Sequence, residues 1–311
     1  THNAGLVVGG FKLLQEYGLI DKFRLSQNRL LIYLREIQDG YRKSNPYHNC
    51  IHALDVMLNT NYFIRCEAVA NLMTPLDMLA CLLAAAIHDH EHPGVNNNFL
   101  ALTKHDLAIT YNDQSILENH HVASAWALLL KDDYNFLQSL TREQYLELRD
   151  TVIQLVIGTD MKFHFDHVTK LKTKMGSDTF QPGCERADVK FLLTVLVHAA
   201  DIANPAKRSE ICFRWTELVM EEFFRQGDVE KALHLPVSPF YDRVTTSSAK
   251  CQMGFINVIV KPLYTEFCAF LGDAATSDCM DCLLANLQAW EENGDEILKC
   301  REPQSMTPAA D

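Results

Sequence analysis

Apolar residues along this chain recur at three- and four-residue spacing almost throughout, and strand-like alternation is hard to find. The pattern predicts helices. Thr74-Pro-Leu-Asp77 has the spacing of a capping box, with Asp in the place of Glu. The helix it opens covers 76–87 and is expected to stop at Pro93-Gly94. Its apolar residues go all round, so it should be buried. Asn45-Pro46 reads as an N-cap and first-turn pair opening a helix at Tyr47. Further apolar helices fall at 146–157 and 191–200, the second ending near Asn204-Pro205. In 211–226, Trp215, Val219 and Phe223 repeat at i, i+4 and i+8, and Gly227 is expected to end the helix. The long apolar stretch 251–271 should bend at Pro262. Residues 172–188 and 231–248 read as surface loops, and the tail from Cys300 as frayed. No repeat or Pro/Ser-rich linker divides the chain. It reads as one all-α domain, 1–311, with its core over about 40–295.

Composition narrows the class. The 311 residues are 48% apolar and 22% charged, which supports a sizeable core and argues against disorder. The net charge of −12 comes without a Lys/Arg stripe, so a duplex-binding surface is not expected. Ten scattered cysteines read as reduced thiols, and the expected location is cytoplasmic. Cys279 and Cys282 form a lone C-x-x-C and read as ordinary helix residues. No signal peptide is visible. The apolar run 76–87 is too short for a bilayer, so no transmembrane segment is expected. The chain opens Thr-His-Asn without Met and is read as a fragment, with a regulatory domain outside it.

The candidate chemistry lies at helix ends. His88 and Asp89, with His92 one turn on, follow an apolar run. His48 and His52 repeat the four-residue spacing, which on a helix puts a pair on one face. Glu118 and His121 form a third cluster, Asp201 a fourth and Thr159-Asp160 a fifth. A lone histidine on a helix is usually surface or satisfied core. Several histidines and carboxylates at the ends of apolar helices are different, because unpaired buried charge is costly. A divalent cation removes that cost. Two histidines and two aspartates without a thiolate suit Zn²⁺ at an open catalytic site. Asp89 can bridge to a harder ion that keeps its waters, as Mg²⁺ does. Such a pair of ions suits phosphate-ester hydrolysis.

The motifs YHNCIH, HDHEHPG, LENHH, TDM, HAADIANP, MEEFFRQGD and SPFYDR…AKCQMGFI resemble, in order, the catalytic domain of class I cyclic nucleotide phosphodiesterases. The resemblance implies about sixteen helices in three subdomains around one pocket. It implies Zn²⁺ on His52, His88, Asp89 and Asp201, and Mg²⁺ or Mn²⁺ sharing Asp89. The waters of the second ion would be held by His92, Glu118, His121 and Thr159. His48 matches the general acid and Glu118 the carboxylate that orients it, with a hydroxide shared by the ions as nucleophile. Gln252 matches the glutamine that bonds the purine, and Phe255 and Val219 the clamp around it. Tyr47, Met161, Asn204, Trp215, Thr216 and Phe223 match other pocket walls. The expected reaction is hydrolysis of the 3'-ester of a 3',5'-cyclic nucleotide to the 5'-monophosphate. Asn204, HPGVNNNFL, YNDQSILENHH and EEFFRQGD look most like cAMP-preferring branches, so cAMP is expected over cGMP. Glu221-Glu222 reads as a solvated face. His90 departs from the usual apolar residue, is read as facing water, and is left unassigned with His120. Competing readings are a dual cyclic-nucleotide enzyme, a helical phosphohydrolase of non-cyclic nucleotides, a di-iron bundle using Glu118-x-x-His121, and a closed structural metal module.

Overall fold

The helix Pro75–Ile87 is the axis of the molecule. Thr74 Oγ1 accepts from the Asp77 amide and the Asp77 carboxylate accepts from the Thr74 amide, the reciprocal cap the sequence predicts. Arg186 donates to Asp77 at 2.9 Å, which pairs a carboxylate that is 1% exposed. From Leu79 to Ile87 every side chain is buried. Ala84, Ala85 and Ala86 keep this segment slim, and Cys50–Ile64 and Arg142–Ile157 pack against the helix.

The computed structural model describes residues 4–177 and 180–299. Among these are seventeen α-helices and no strand, in accord with the all-α expectation. One contiguous core reaches from Leu6 to Trp290. The tail from Cys300 lies outside the described residues.

Several helix ends differ from the pattern. Pro75–Ile87 stops six residues before Pro93, and His88 is its C-cap. Asn45-Pro46 does not open a helix. Cys50–Ile64 starts at Asn49, whose side chain accepts from the Ile51 and His52 amides, while Asn45 Nδ2 donates to the His48 and His92 carbonyls. Gly227 does not end a helix: Ser209–Ala232 runs through it. A Cβ there would lie 1.9 Å from the Tyr241 carbonyl oxygen, so this glycine serves a close backbone approach. The 172–188 loop shrinks at both ends, to His164–Met175 and Arg186–Asp201.

The bend expected at Pro262 is a widened turn. The Lys261 amide reaches back five residues to Ile256, just before the residue that has no N–H to offer. Among the described residues, Ser248–Leu271 is the one stretch long and apolar enough to cross a membrane by length and composition. Its Val260, Leu263, Tyr264 and Phe267 are buried in the domain core.

Candidate metal centre and active site

Three segments converge at one end of the axial helix. His52 sits in the first turn of Cys50–Ile64, His88 and Asp89 follow Ile87, and Asp201 ends Arg186–Asp201. His52 Nε2 lies 3.0 Å from Asp201 Oδ1 and 3.3 Å from Asp89 Oδ2. His88 Nε2 lies 3.1 Å from Asp89 Oδ2 and 3.3 Å from Asp201 Oδ1. All four ligand atoms fall within 4.8 Å of one another.

The protons show why this set fits a cation. His88 Nδ1 is 3.0 Å from the Ala85 carbonyl, which can only accept, so Nδ1 carries a hydrogen. In the neutral ring Nε2 then presents a lone pair. It faces His52 Nε2 at 3.3 Å as well as two carboxylates. Acceptors thus point at acceptors, and a proton bridges only one pair while a divalent ion satisfies all four. The same crowding appears in the titration of the groups. Burial would lower His88, but Asp89 and Asp201 hold it well above the ordinary imidazole range. Burial would raise Asp89 and Asp201, but the neighbouring imidazoles hold both far below the usual carboxylate range. A bound cation takes the place of that proton.

His121 extends the cluster. Its Nδ1 is 2.6 Å from the His90 carbonyl, so its free Nε2 turns toward Asp89 Oδ1 at 3.7 Å. Burial pushes its pKa down to about 3. His92 Nδ1 accepts from the Gly94 amide, and its ring stacks on His48 at 3.9 Å. His48 itself precedes the helix and His92 follows a turn in which Glu91 has φ 62°. The helical i,i+4 argument for both histidine pairs is therefore corrected: loops, capped by Asn45 and Asn49, bring these rings together.

The partner of His48 is also corrected. Glu118 does not hold it; the Glu118 carboxylate accepts from Asn97 Nδ2 at 2.9 Å, and burial with Asp160 nearby raises its pKa to about 7. Glu222 holds His48 instead. One carboxylate oxygen accepts a short hydrogen bond from His48 Nδ1, and the other accepts from the Tyr47 and His48 amides at 2.9 and 3.0 Å. Burial alone would lower His48, but Glu222 and then Asp89 lift it to about 9. Glu222 is 3% exposed and is not a solvated face; its neighbour Glu221 is, paired with Arg225 and Arg243. The sequence carried a signal for Glu222: it falls on the stripe of Trp215, Val219 and Gln226 at helical spacing.

Of the remaining predicted residues, Tyr47 and Trp215 lie against His52. Tyr47 packs on His52 at 4.5 Å and edge-on to Trp215 at 5.5 Å. Asn204 Nδ2 donates to the Tyr47 hydroxyl at 2.6 Å, and its Oδ1 is buried without a partner. Trp215, Thr216, Val219 and Phe223 share Ser209–Ala232. The Thr216 hydroxyl is taken by the Cys212 carbonyl, and Phe223 stacks on Tyr241 at 4.4 Å. Gln252 is buried on Ser248–Phe255, Phe255 is half-buried, and Met161 is exposed. Thr159 is buried and donates to the Val156 carbonyl. His90, expected to face water, is 3% exposed, with Nδ1 2.9 Å from Ser124 Oγ and its ring packed where a Cβ on Gly40 would stand. His120 pairs with Glu91 at 2.8 Å, away from the cluster.

Known proteins are similar to this chain in sequence and in fold. Residues 47–283 match the sequence model of the family described as 3'5'-cyclic nucleotide phosphodiesterase. A dual specificity calcium/calmodulin-dependent 3',5'-cyclic nucleotide phosphodiesterase 1B from Cricetulus griseus is 42% identical over 82% of this chain and 47% of its own length. A probable 3',5'-cyclic phosphodiesterase pde-1 from Caenorhabditis elegans is 44% identical over 81% of this chain and 37% of its own. The chain thus spans about half or less of these relatives. The crystal structure of the phosphodiesterase domain of the RhoPDE fusion protein from the choanoflagellate Salpingoeca rosetta superposes with a TM-score of 0.87 at 31% identity, covering 94% of this chain and 91% of that one. With the matched region spanning most of the helices and all of the proposed ligands, the chain belongs to the 3',5'-cyclic nucleotide phosphodiesterase family.

Proposed function

We propose that this domain hydrolyses the 3'-phosphoester of a 3',5'-cyclic nucleotide to the 5'-monophosphate. The observation that carries the proposal is the convergence of four acceptor atoms beside a carboxylate-held imidazole, His48, in a chain of this family. His52, His88, Asp89 and Asp201 would hold Zn²⁺, and Asp89 would share a Mg²⁺ or Mn²⁺ whose waters reach His92, His121, Glu118 and Thr159. Two such ions would neutralise charge on the phosphate and acidify water. His48 carries the proton that the departing O3' needs, since an alkoxide is a poor leaving group. Glu222 keeps that proton in place at neutral pH and fixes the ring. Gln252 meets the purine edge, Phe255 and Val219 take its faces, and Tyr47, Asn204, Met161, Trp215, Thr216 and Phe223 shape the walls.

The same reading prefers cAMP. Asn204, with the stretches HPGVNNNFL, YNDQSILENHH and EEFFRQGD, looks most like the cAMP-preferring branches. A second reading is dual hydrolysis of cAMP and cGMP, favoured by the names of relatives such as the Cricetulus griseus enzyme. Hydrolysis assays on both nucleotides, before and after chelation, test the proposal. The expected result is 5'-monophosphate, abolition by chelator, and a higher kcat/KM on cAMP. Equal values support the dual reading. No turnover of either nucleotide by metal-replete protein removes the proposal.

A further inference from the structure

One cavity lies apart from the metal centre. It encloses about 320 Å³ between Cys50–Ile64, the start of Ser209–Ala232, Tyr264 and the C-x-x-C segment of Asp273–Asn293. By comparison, the space beside His48 and His92 is about 40 Å³. Ala203 and Ala206 form one wall, and Asn204 between them turns to Tyr47 instead, so the cavity and the metal centre lie on two sides of one segment. Asn286 pins that segment by donating to the Pro205 and Lys207 carbonyls.

The lining is mostly apolar, with Lys207, Arg208 and Asp278 as its charged residues. Phe63 and Tyr264 give it a buried apolar floor, and Leu58, Tyr62 and Ile211 stand partly exposed at its mouth. Of the two cations present, Lys207 is held by Asp55. Arg208 is exposed, and its guanidinium has no carboxylate partner among the described residues. Arg208 is also the N-cap of the 24-residue helix Ser209–Ala232, with no side-chain cap. The positive end of the helix dipole therefore lies beside this guanidinium, with Glu210 the one acidic residue of the same first turn. Asp278 at the rim works against a second negative charge.

We propose that this cavity binds a small amphipathic monocarboxylate, its apolar chain against Leu58, Tyr62, Phe63 and Ile211 and its carboxylate at Arg208. The volume takes roughly ten methylene-sized groups, at the small end of ligand pockets. A neutral alcohol of the same length lacks the ion pair, and an ammonium placed at Arg208 meets a like charge. Cys282 lines the cavity, and exposed Cys184 on another segment serves as its internal control.

The test is calorimetric titration of the 311-residue protein with decanoate below its micelle concentration, with decanol and decylammonium alongside. Two variants carry the argument: Arg208→Gln at the exposed edge, and Ile211→Trp, which fills the mouth from a helix first turn. Decanoate should bind the parent protein, bind Arg208→Gln at least tenfold more weakly, and fail to bind Ile211→Trp. Decanol should bind weakly and ignore Arg208→Gln. Bound decanoate should slow iodoacetamide alkylation of Cys282 and leave Cys184 unchanged. Absence of decanoate binding, equal binding by Arg208→Gln, equal affinity for decylammonium, or unprotected Cys282 would each overturn the proposal.

Discussion

Glu222→Gln is the most informative single change. The substitution keeps an oxygen to accept from the Tyr47 and His48 amides but removes the charge that faces His48 Nδ1. With Glu222 in place the His48 pKa is about 9, against an ordinary value of 6.5. Both partners are largely buried, with side chains 22% and 4% exposed, so solvent screens the pair little. Returning His48 to its ordinary value corresponds to about 3 kcal/mol of lost interaction. At pH 7.5 the protonated fraction falls from about 97% to about 9%, so an acid-dependent step slows roughly tenfold. Burial still lowers the ring in this variant while Asp89 and Asp201 still raise it, so about tenfold is the expected loss. The assay is kcat on cyclic nucleotide from pH 5.5 to 10. In the parent protein the alkaline limb should fall near pH 9, because activity needs the protonated ring. In Glu222→Gln it should move down toward pH 6.5, with metal content unchanged. An alkaline limb at the same pH in both proteins would refute the role given to this pair.

Other perturbations act on the frame around the site. Gly227→Ala drives a methyl group into the Tyr241 backbone and should cost about 2–3 kcal/mol, read as a lower denaturant midpoint. Arg186→Leu strands the buried Asp77 carboxylate; with the guanidinium partly solvated, about 2 kcal/mol should be lost, and Asp77→Asn in the same protein should restore part of it. Burial holds His198 at a pKa of about 3, below its unfolded value of 6.5. Its stabilisation is therefore whole above pH 6.5 and lost as pH falls toward 3, about 1.4 kcal/mol by pH 5.5. Thermal unfolding from pH 7.5 to 5.5 should show a shallower decline in His198→Phe; an identical slope would remove His198 from the account.

Much of this was legible in the sequence because it rests on local rules. The Thr74–Asp77 cap and the all-round apolar helix behind it need only short-range spacing. The metal-ligand candidates stood out because charge at the end of an apolar helix has few inexpensive explanations. What escaped depends on partners distant in sequence. Gly227 looks like a stop until Tyr241 is seen against it. Asn45 looks like a cap until its amide is found bridging His48 and His92. His88 and His92 meet their neighbours through a turn with Glu91 in the left-handed region, which period counting treats as helix. Glu222 is the instructive miss: its phase on the apolar stripe was readable, but its acidic neighbour Glu221 made the pair resemble a solvated face.

The central claim is that His52, His88, Asp89 and Asp201 close on one divalent cation. Crystals soaked in Zn²⁺ and measured on both sides of the zinc absorption edge test it directly. The account predicts an anomalous peak about 2.0–2.2 Å from both Nε2 atoms and from an oxygen of each carboxylate, and no peak there in Asp201→Ala. A peak bound elsewhere, or full zinc occupancy at these atoms in Asp201→Ala, would contradict it.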